Sequence, residues 1–331
     1  HRNISNLVPI MSAAADATCA RLEACPGRAD LYQEMVRATF DVISNVTFSG
    51  SGAMDSEVVH KAIDAYIAQI GRVSLFDVVG IPTWVPRPGR MFRPNTLKDM
   101  KAVADRSIRE REASGAKPVP DLLDLLMAGE DPETKKRMNT DELRDNLLNF
   151  IVAGHETTAL TLSWAIYLCA FDPTVQDKLL AEAQSVLQGR TATAEDCANL
   201  PYTEQVIKET LRLYPPAAIV SRTAQAHDTL AGREIRPGDT VMMPFYALHR
   251  NHALWPDPDR FDPERFAKGA KYDRFSYLPF GDGPRVCIGA SFAMTEAQII
   301  LSTLISRFRF TRIRGKDPKP VMLLTLRPQG G

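Results

Sequence analysis

The chain opens on an apolar stripe. Ile4, Leu7, Val8, Met11, Ala15, Thr18 and Leu22 recur at the spacing of one helix face. Residues 30–49 and 55–70 repeat the pattern less cleanly. Pro82, Pro86, Pro88 and Pro94 mark a connecting loop over residues 80–95. Residues 96–114 predict a charged, exposed helix. Leu122, Leu123, Leu125 and Leu126 predict a short helix, closed by Gly129 and Pro132.

A long helix should begin at Asn139, an N-cap whose capping-box partner is Glu142. Its apolar face runs through Leu143, Leu147, Phe150, Ile151, Leu160, Trp164 and Leu168. It stops before Asp172-Pro173, the cap and first residue of the next helix. Its middle reads Ala153-Gly154-His155-Glu156-Thr157-Thr158, where Gly and two Thr are poor helix formers. A strong helix that gives up propensity at one point has a local task there.

Residues 173–188 and 202–213 predict two more helices, the second ending at Pro215-Pro216. Residues 218–243 predict short strands, with Gly232 and Pro237-Gly238 as turns. Residues 251–289 are irregular, and long irregular segments in compact domains are usually functional. A helix over 290–308 and a strand pair over 309–326 follow. The fold class is mainly α with a minor β component.

Composition narrows the function. Apolar residues make up 44% and charged residues 24%, enough for one sizeable domain or two small ones. Forty basic residues balance forty acidic ones; with that apolar content the zero net charge excludes a disordered chain, and it leaves no whole-molecule basic field for nucleic acid. No apolar run reaches the eighteen residues of a membrane span. Residues 1–30 lack the unbroken apolar stretch of a signal peptide. Five scattered cysteines without a C-x-x-C pair fit a reducing, cytoplasmic setting.

The sharpest signal is Phe280-Gly281-Asp282-Gly283-Pro284-Arg285-Val286-Cys287-Ile288-Gly289, followed at once by a helix. A bland reading is a Gly-rich turn around a buried free thiol. Each part has a use if Cys287 binds haem iron. Gly281, Gly283 and Gly289 let backbone lie against a flat macrocycle and leave N–H groups for the sulfur. The positive end of the helix from Ala290 favours thiolate over thiol. Arg285 can pair with a haem propionate.

The pattern F-G-x-G-x-R-x-C-x-G resembles the signature of the cytochrome P450 family. That resemblance implies a cytochrome P450 fold, with haem b (iron protoporphyrin IX) held by the Cys287 thiolate. Further motifs agree. Ala153-Gly154-His155-Glu156-Thr157-Thr158 is similar to the family's oxygen-activation segment. There Ala153 and Gly154 would make room for O2, and Glu156 and Thr157 would relay protons to it. His155 reads as a packing or surface residue. Glu209-Thr210-Leu211-Arg212 alone is an ordinary i,i+3 pair. In the family it is a buried lock, completed by Arg265 of Pro263-Glu264-Arg265-Phe266. Arg222 would bond a propionate. Ala217, Ala218, Ile219 and Val220 would face a small apolar substrate. His249 and Arg250 read as structural.

The resemblance covers nearly the whole chain, 1–331, as a single domain. It implies an incomplete one, lacking N-terminal strands and a helix, and clipped at the extreme C-terminus. The implied activity is a haem-thiolate monooxygenase with electrons from a separate ferredoxin or flavoprotein reductase. Arg285, Lys208, Lys271 and Arg274 would border that partner's docking face. Two alternatives are a peroxide-using haem-thiolate enzyme and a non-catalytic or degenerate haem-binding fragment.

Overall fold

The computed structural model describes residues 4–25, 27–48, 96–118 and 120–329. The helix expected over 55–70 and the proline loop over 80–95 lie outside the described residues. The chain divides into two compact units, residues 2–159 and 160–331, with the boundary inside one long helix.

In the first unit, helix α1 (Val8–Ala24) buries Val8, Met11, Ala15, Thr18, Cys19 and Leu22, the stripe read from the sequence. It continues a 3-10 turn at Ser5–Leu7. Helix α2 (Leu31–Phe48) lies beside it, and Arg21 and Glu34 pair at 2.6 Å between the two. Helix α3 (Thr96–Ser114) corrects the expectation of an exposed element. Met100, Ala104, Ile108 and Arg111 form a buried stripe at helical spacing. The many charges occupy the other faces. The stripe joins Phe40, Ile43, Leu123, Leu143, Leu147 and Ile151 in one core.

Arg111 enters that core because it is paired there. Its guanidinium bonds Asp121 at 2.8 and 2.7 Å and Asp124 at 2.6 Å. Those two carboxylates also form the capping box of helix α4 (Leu122–Ala128). A buried charge without such partners would cost several kcal/mol.

Helix α5 (Thr140–Phe171) begins as the sequence predicts. Asn139 and Glu142 exchange side-chain bonds to each other's backbone N–H at 2.9 Å each. Within the first unit, α5 packs tightly on α2. The Thr39 hydroxyl donates to the His155 carbonyl at 2.8 Å, and the His155 ring stands edge-on to Phe40. A Cβ on Gly154 would come 3.0 Å from Ile43 Cδ1 and 3.1 Å from Cγ1.

In the second unit, Asp172 caps helix α6 (Pro173–Leu187), its carboxylate accepting from Thr174 and Val175 N–H. Helix α7 (Pro201–Leu213), α6 and helix α9 (Ala290–Arg307) pack through apolar faces that include Leu179, Val206, Ile207, Ile300 and Leu304. Fully burying each such side chain stabilises by about 1.5–3 kcal/mol. Trp164 stacks on Tyr214 at 4.0 Å and donates to the Leu326 carbonyl.

The strands are short. Strand β1 (Val220–Thr223) pairs antiparallel with β4 (Thr240–Met243), Val220 opposite Met243. Strands β2 (Asp228–Leu230) and β3 (Arg233–Ile235) form a hairpin closed by Ala231 and Gly232, both at positive φ. That is the turn geometry a two-residue hairpin favours. The terminal pair, β5 (Lys319–Met322) with β6 (Leu326–Gln329), lies later than the expected 309–326. A one-turn helix α8 (Phe245–Leu248) interrupts the segment after β4. The class, mainly α with minor β, stands.

Gly154 yields a packing prediction. Gly154→Leu should destabilise by about 1–3 kcal/mol through overpacking on Ile43. Ile43→Ala in the same chain should recover part of that loss, measured as the coupling in urea unfolding.

Candidate functional site

The irregular stretch of the second unit ends in a loop whose apex is a thiol. Gly281 and Gly283 hold φ of +71° and +73°, where an L side chain is strained. They flank Asp282, the cap of a 3-10 turn over Gly283–Arg285. The Cys287 N–H donates to the Phe280 carbonyl at 2.9 Å, closing the loop on itself. Gly289 is the N-cap of α9. A Cβ there would lie 3.9 Å from Cys287 Sγ.

The surface of this loop is unusual in chemistry. Cys287 and Arg285 are exposed, Val286 is 51% exposed and Ile288 87% exposed. Phe280 is half-buried behind them. Exposed aliphatic side chains flanking a thiol at a helix N-terminus fit a flat apolar group with a thiolate-seeking metal at its centre. Haem is such a group, so the residues present fit it.

A buried ion pair holds the segment that carries the loop. Glu209 and Arg212 on α7 are both 0% exposed. Arg212 Nε and Nη2 bond the Glu209 carboxylate at 2.7 and 2.8 Å. Nη1 donates to the carbonyls of His249 and Pro258, and Nη2 to that of Arg260. All five guanidinium donors are therefore used. The group also sits 5.2 Å from the centre of the Trp255 ring. Glu209 accepts the Asp262 N–H at 2.9 Å and meets Arg265 Nε at 3.4 Å, while Arg265 Nη2 donates to the Asp257 carbonyl. Burial pushes the Glu209 carboxyl above its ordinary 4.5, against the pull of Arg212 and Arg265.

In the first unit, α5 presents Ala153, which is exposed, and Gly154 and Thr157, which are half-buried. Thr157 Oγ1 donates to the Ala153 carbonyl at 2.9 Å. Glu156 is buried. Gly154 has a packing reason for being small, its contact with Ile43. His155 is buried and its Nδ1 lies 2.9 Å from the Ile151 carbonyl, a packing position.

The expected substrate-facing run is only partly open. Ala217 and Val220 are half-buried and Ile219 is exposed. Ala218 is buried, and its carbonyl accepts the Tyr246 N–H. Arg222 on β1 is exposed and donates to the Ser221 carbonyl at 2.8 Å. Of the basic residues assigned to a docking face, Lys208 pairs with Glu204 and Arg274 with Asp282, each at 2.6 Å. Such pairing reduces the charge they offer a partner.

The Cytochrome P450 family profile matches residues 1–330. The chain belongs to the cytochrome P450 family. The crystal structure of the cytochrome P450DA heme domain superposes with a TM-score of 0.85 at 27% identity, covering 99% of this chain and 72% of that one. Two relatives come from Streptomyces melanosporofaciens. Cyclooctat-9-en-7-ol 5-monooxygenase is 40% identical over 72% of this chain, and cyclooctatin synthase is 35% identical over 90%. The chain spans 52% and 66% of the length of those two relatives. Membership implies a haem-iron cofactor with a cysteine thiolate ligand. Among the described residues, no helix of this cytochrome P450 chain is long and apolar enough to cross a membrane.

The acceptors that Arg212 finds beyond Glu209 escaped sequence reasoning, because backbone carbonyls carry no residue signature. We expect Arg212→Ala to lose about 3–5 kcal/mol in urea unfolding, as the buried Glu209 loses its bidentate partner and keeps only the longer contact to Arg265. Arg212→Lys should not restore stability, since an ammonium cannot span five acceptor directions. Full recovery by lysine would show that charge alone suffices.

Proposed function

We propose that this chain is the haem-binding part of a monooxygenase acting on a small apolar substrate. One observation carries the reading: an exposed cysteine, Cys287, at the apex of a glycine loop on the N-terminus of α9. Cys287 Sγ would ligate the haem iron. The thiolate-bound haem supplies O2 activation and the insertion of one oxygen atom into a substrate bond. Phe280, Gly281, Gly283 and Gly289 shape the backbone against it. The guanidinium groups of Arg285 and Arg222 would hold the propionate carboxylates.

Glu156 and Thr157 handle protons. The Glu156 carboxyl and the Thr157 hydroxyl, adjacent in sequence on α5, would relay protons to bound O2. The resting bond from Thr157 to the Ala153 carbonyl holds that hydroxyl in one rotamer. Ala153, exposed on α5, would leave room for O2, while Gly154 is small on the side packed against Ile43. This acid–alcohol pair favours a monooxygenase over a peroxide-using enzyme, which needs no such relay. Ala217, Ile219 and Val220 offer an apolar contact to substrate. The relative named as a cyclooctat-9-en-7-ol monooxygenase supports a mostly hydrocarbon substrate. Electrons come from a separate ferredoxin or flavoprotein.

The reduced, carbon-monoxide-bound difference spectrum of the haem-loaded full-length protein tests the ligand. We expect a far-red-shifted Soret band that is lost in Cys287→Ala. A band typical of histidine ligation, unchanged by the substitution, would overturn the reading. Thr157→Ala should retain the band yet lower coupled turnover by about a hundredfold.

A further inference from the structure

A histidine stands between the buried Arg212 and the cysteine loop, and no step of the proposed reaction uses it. His249 is fully buried, just after α8. Its carbonyl accepts from Arg212 Nη1 at 2.8 Å. Its Nε2 lies 2.9 Å from the Leu278 backbone nitrogen and accepts that N–H. Leu278 is the last residue but one before Phe280, whose carbonyl closes the cysteine loop. The Leu278 carbonyl in turn accepts the Gly281 N–H at 3.1 Å. Two hydrogen bonds of one residue thus join the ion pair to the entry of the loop.

The ring is fixed as well as bonded. It lies parallel to Phe245 at 6.2 Å and tilted against Tyr277 at 5.5 Å. The Tyr277 hydroxyl is itself anchored on the Lys208 carbonyl of α7 at 2.9 Å. Accepting at Nε2 requires the proton to sit on Nδ1. We propose that His249 is a positioning residue: its neutral imidazole fixes the entry of the cysteine loop, and its protonation releases that entry.

The electrostatic surroundings agree. Arg212 of α7 and Arg250 of its own segment face the ring with like charge, Tyr277 faces it from the loop entry, and Glu209 is already occupied by Arg212. Burial foremost, with the like charge of Arg212 and Arg250, holds the imidazole down from 6.5 to about 4, against the opposing pull of the Arg212 and Leu211 backbone. The sign follows. The unfolded chain binds the proton more readily, so the stabilisation is complete above 6.5 and is lost as pH falls through the interval down to 4. Protonated Nε2 would be a donor facing the Leu278 donor.

This consequence for the haem ligand rests on the assignment of Cys287, but the latch itself can be read without haem. Hydrogen exchange of the peptide carrying Leu278 should be compared in wild type, His249→Gln and His249→Leu from pH 7 to pH 4. Glutamine keeps an acceptor and does not titrate. We expect wild type to lose protection in acid, His249→Gln to keep it, and His249→Leu to exchange about tenfold faster even at pH 7, the effect of one lost buried bond. Identical pH profiles for wild type and His249→Gln would overturn the proposal. In the haem-loaded full-length protein, the thiolate band should fade in acid for wild type and persist in His249→Gln. A missing band at pH 7 in both would count against Cys287, whereas a band that fades equally in both would count against His249.

Discussion

Arg212 is the constraint on which the second unit depends. A guanidinium at 0% exposure has no water to satisfy it, so every donor must find protein. Two donors find Glu209, three residues earlier on the same helix, and the others find carbonyls at 249, 258 and 260. Those carbonyls belong to a stretch with little regular hydrogen bonding of its own. The chain there is irregular in form yet fixed in place, because releasing it would leave a charge buried without partners.

Aromatic packing completes the hold. Trp255, Phe266, Tyr272 and Tyr277 form one cluster beneath the segment, and Trp255 Nε1 donates to the Ser276 carbonyl. From this base the chain reaches the cysteine loop through Leu278. The loop can therefore expose Val286, Cys287 and Ile288 without collapsing onto them. An apolar surface with a thiol at its centre is costly to leave in water, and a flat haem is the kind of group that would cover it. Rigid support and an open reactive face are the two properties an axial ligand needs.

Local patterns were legible and distant ones were not. The Asn139–Glu142 capping box, the Asp172-Pro173 cap and the Gly232 hairpin turn each involve neighbours in sequence, so residue types alone predict them. The cysteine loop was legible for the same reason: ten consecutive residues carry it. Glu209, Arg212 and Arg265 were read as a lock only through the family resemblance. Helix α3 misled because its charges outnumber a narrow buried stripe of Met100, Ala104 and Ile108. Arg111 looked like another surface charge, yet two aspartates ten and thirteen residues later draw it into the core. His249 was read only as structural, since its acceptor role depends on Leu278, twenty-nine residues away.

The account centres on Cys287 Sγ as the ligand of a haem iron. Iron K-edge X-ray absorption of the haem-loaded full-length protein tests this most directly. The account predicts one sulfur scatterer in the first shell of the iron, absent in Cys287→Ala. A first shell of nitrogen and oxygen alone in the unsubstituted protein would contradict it.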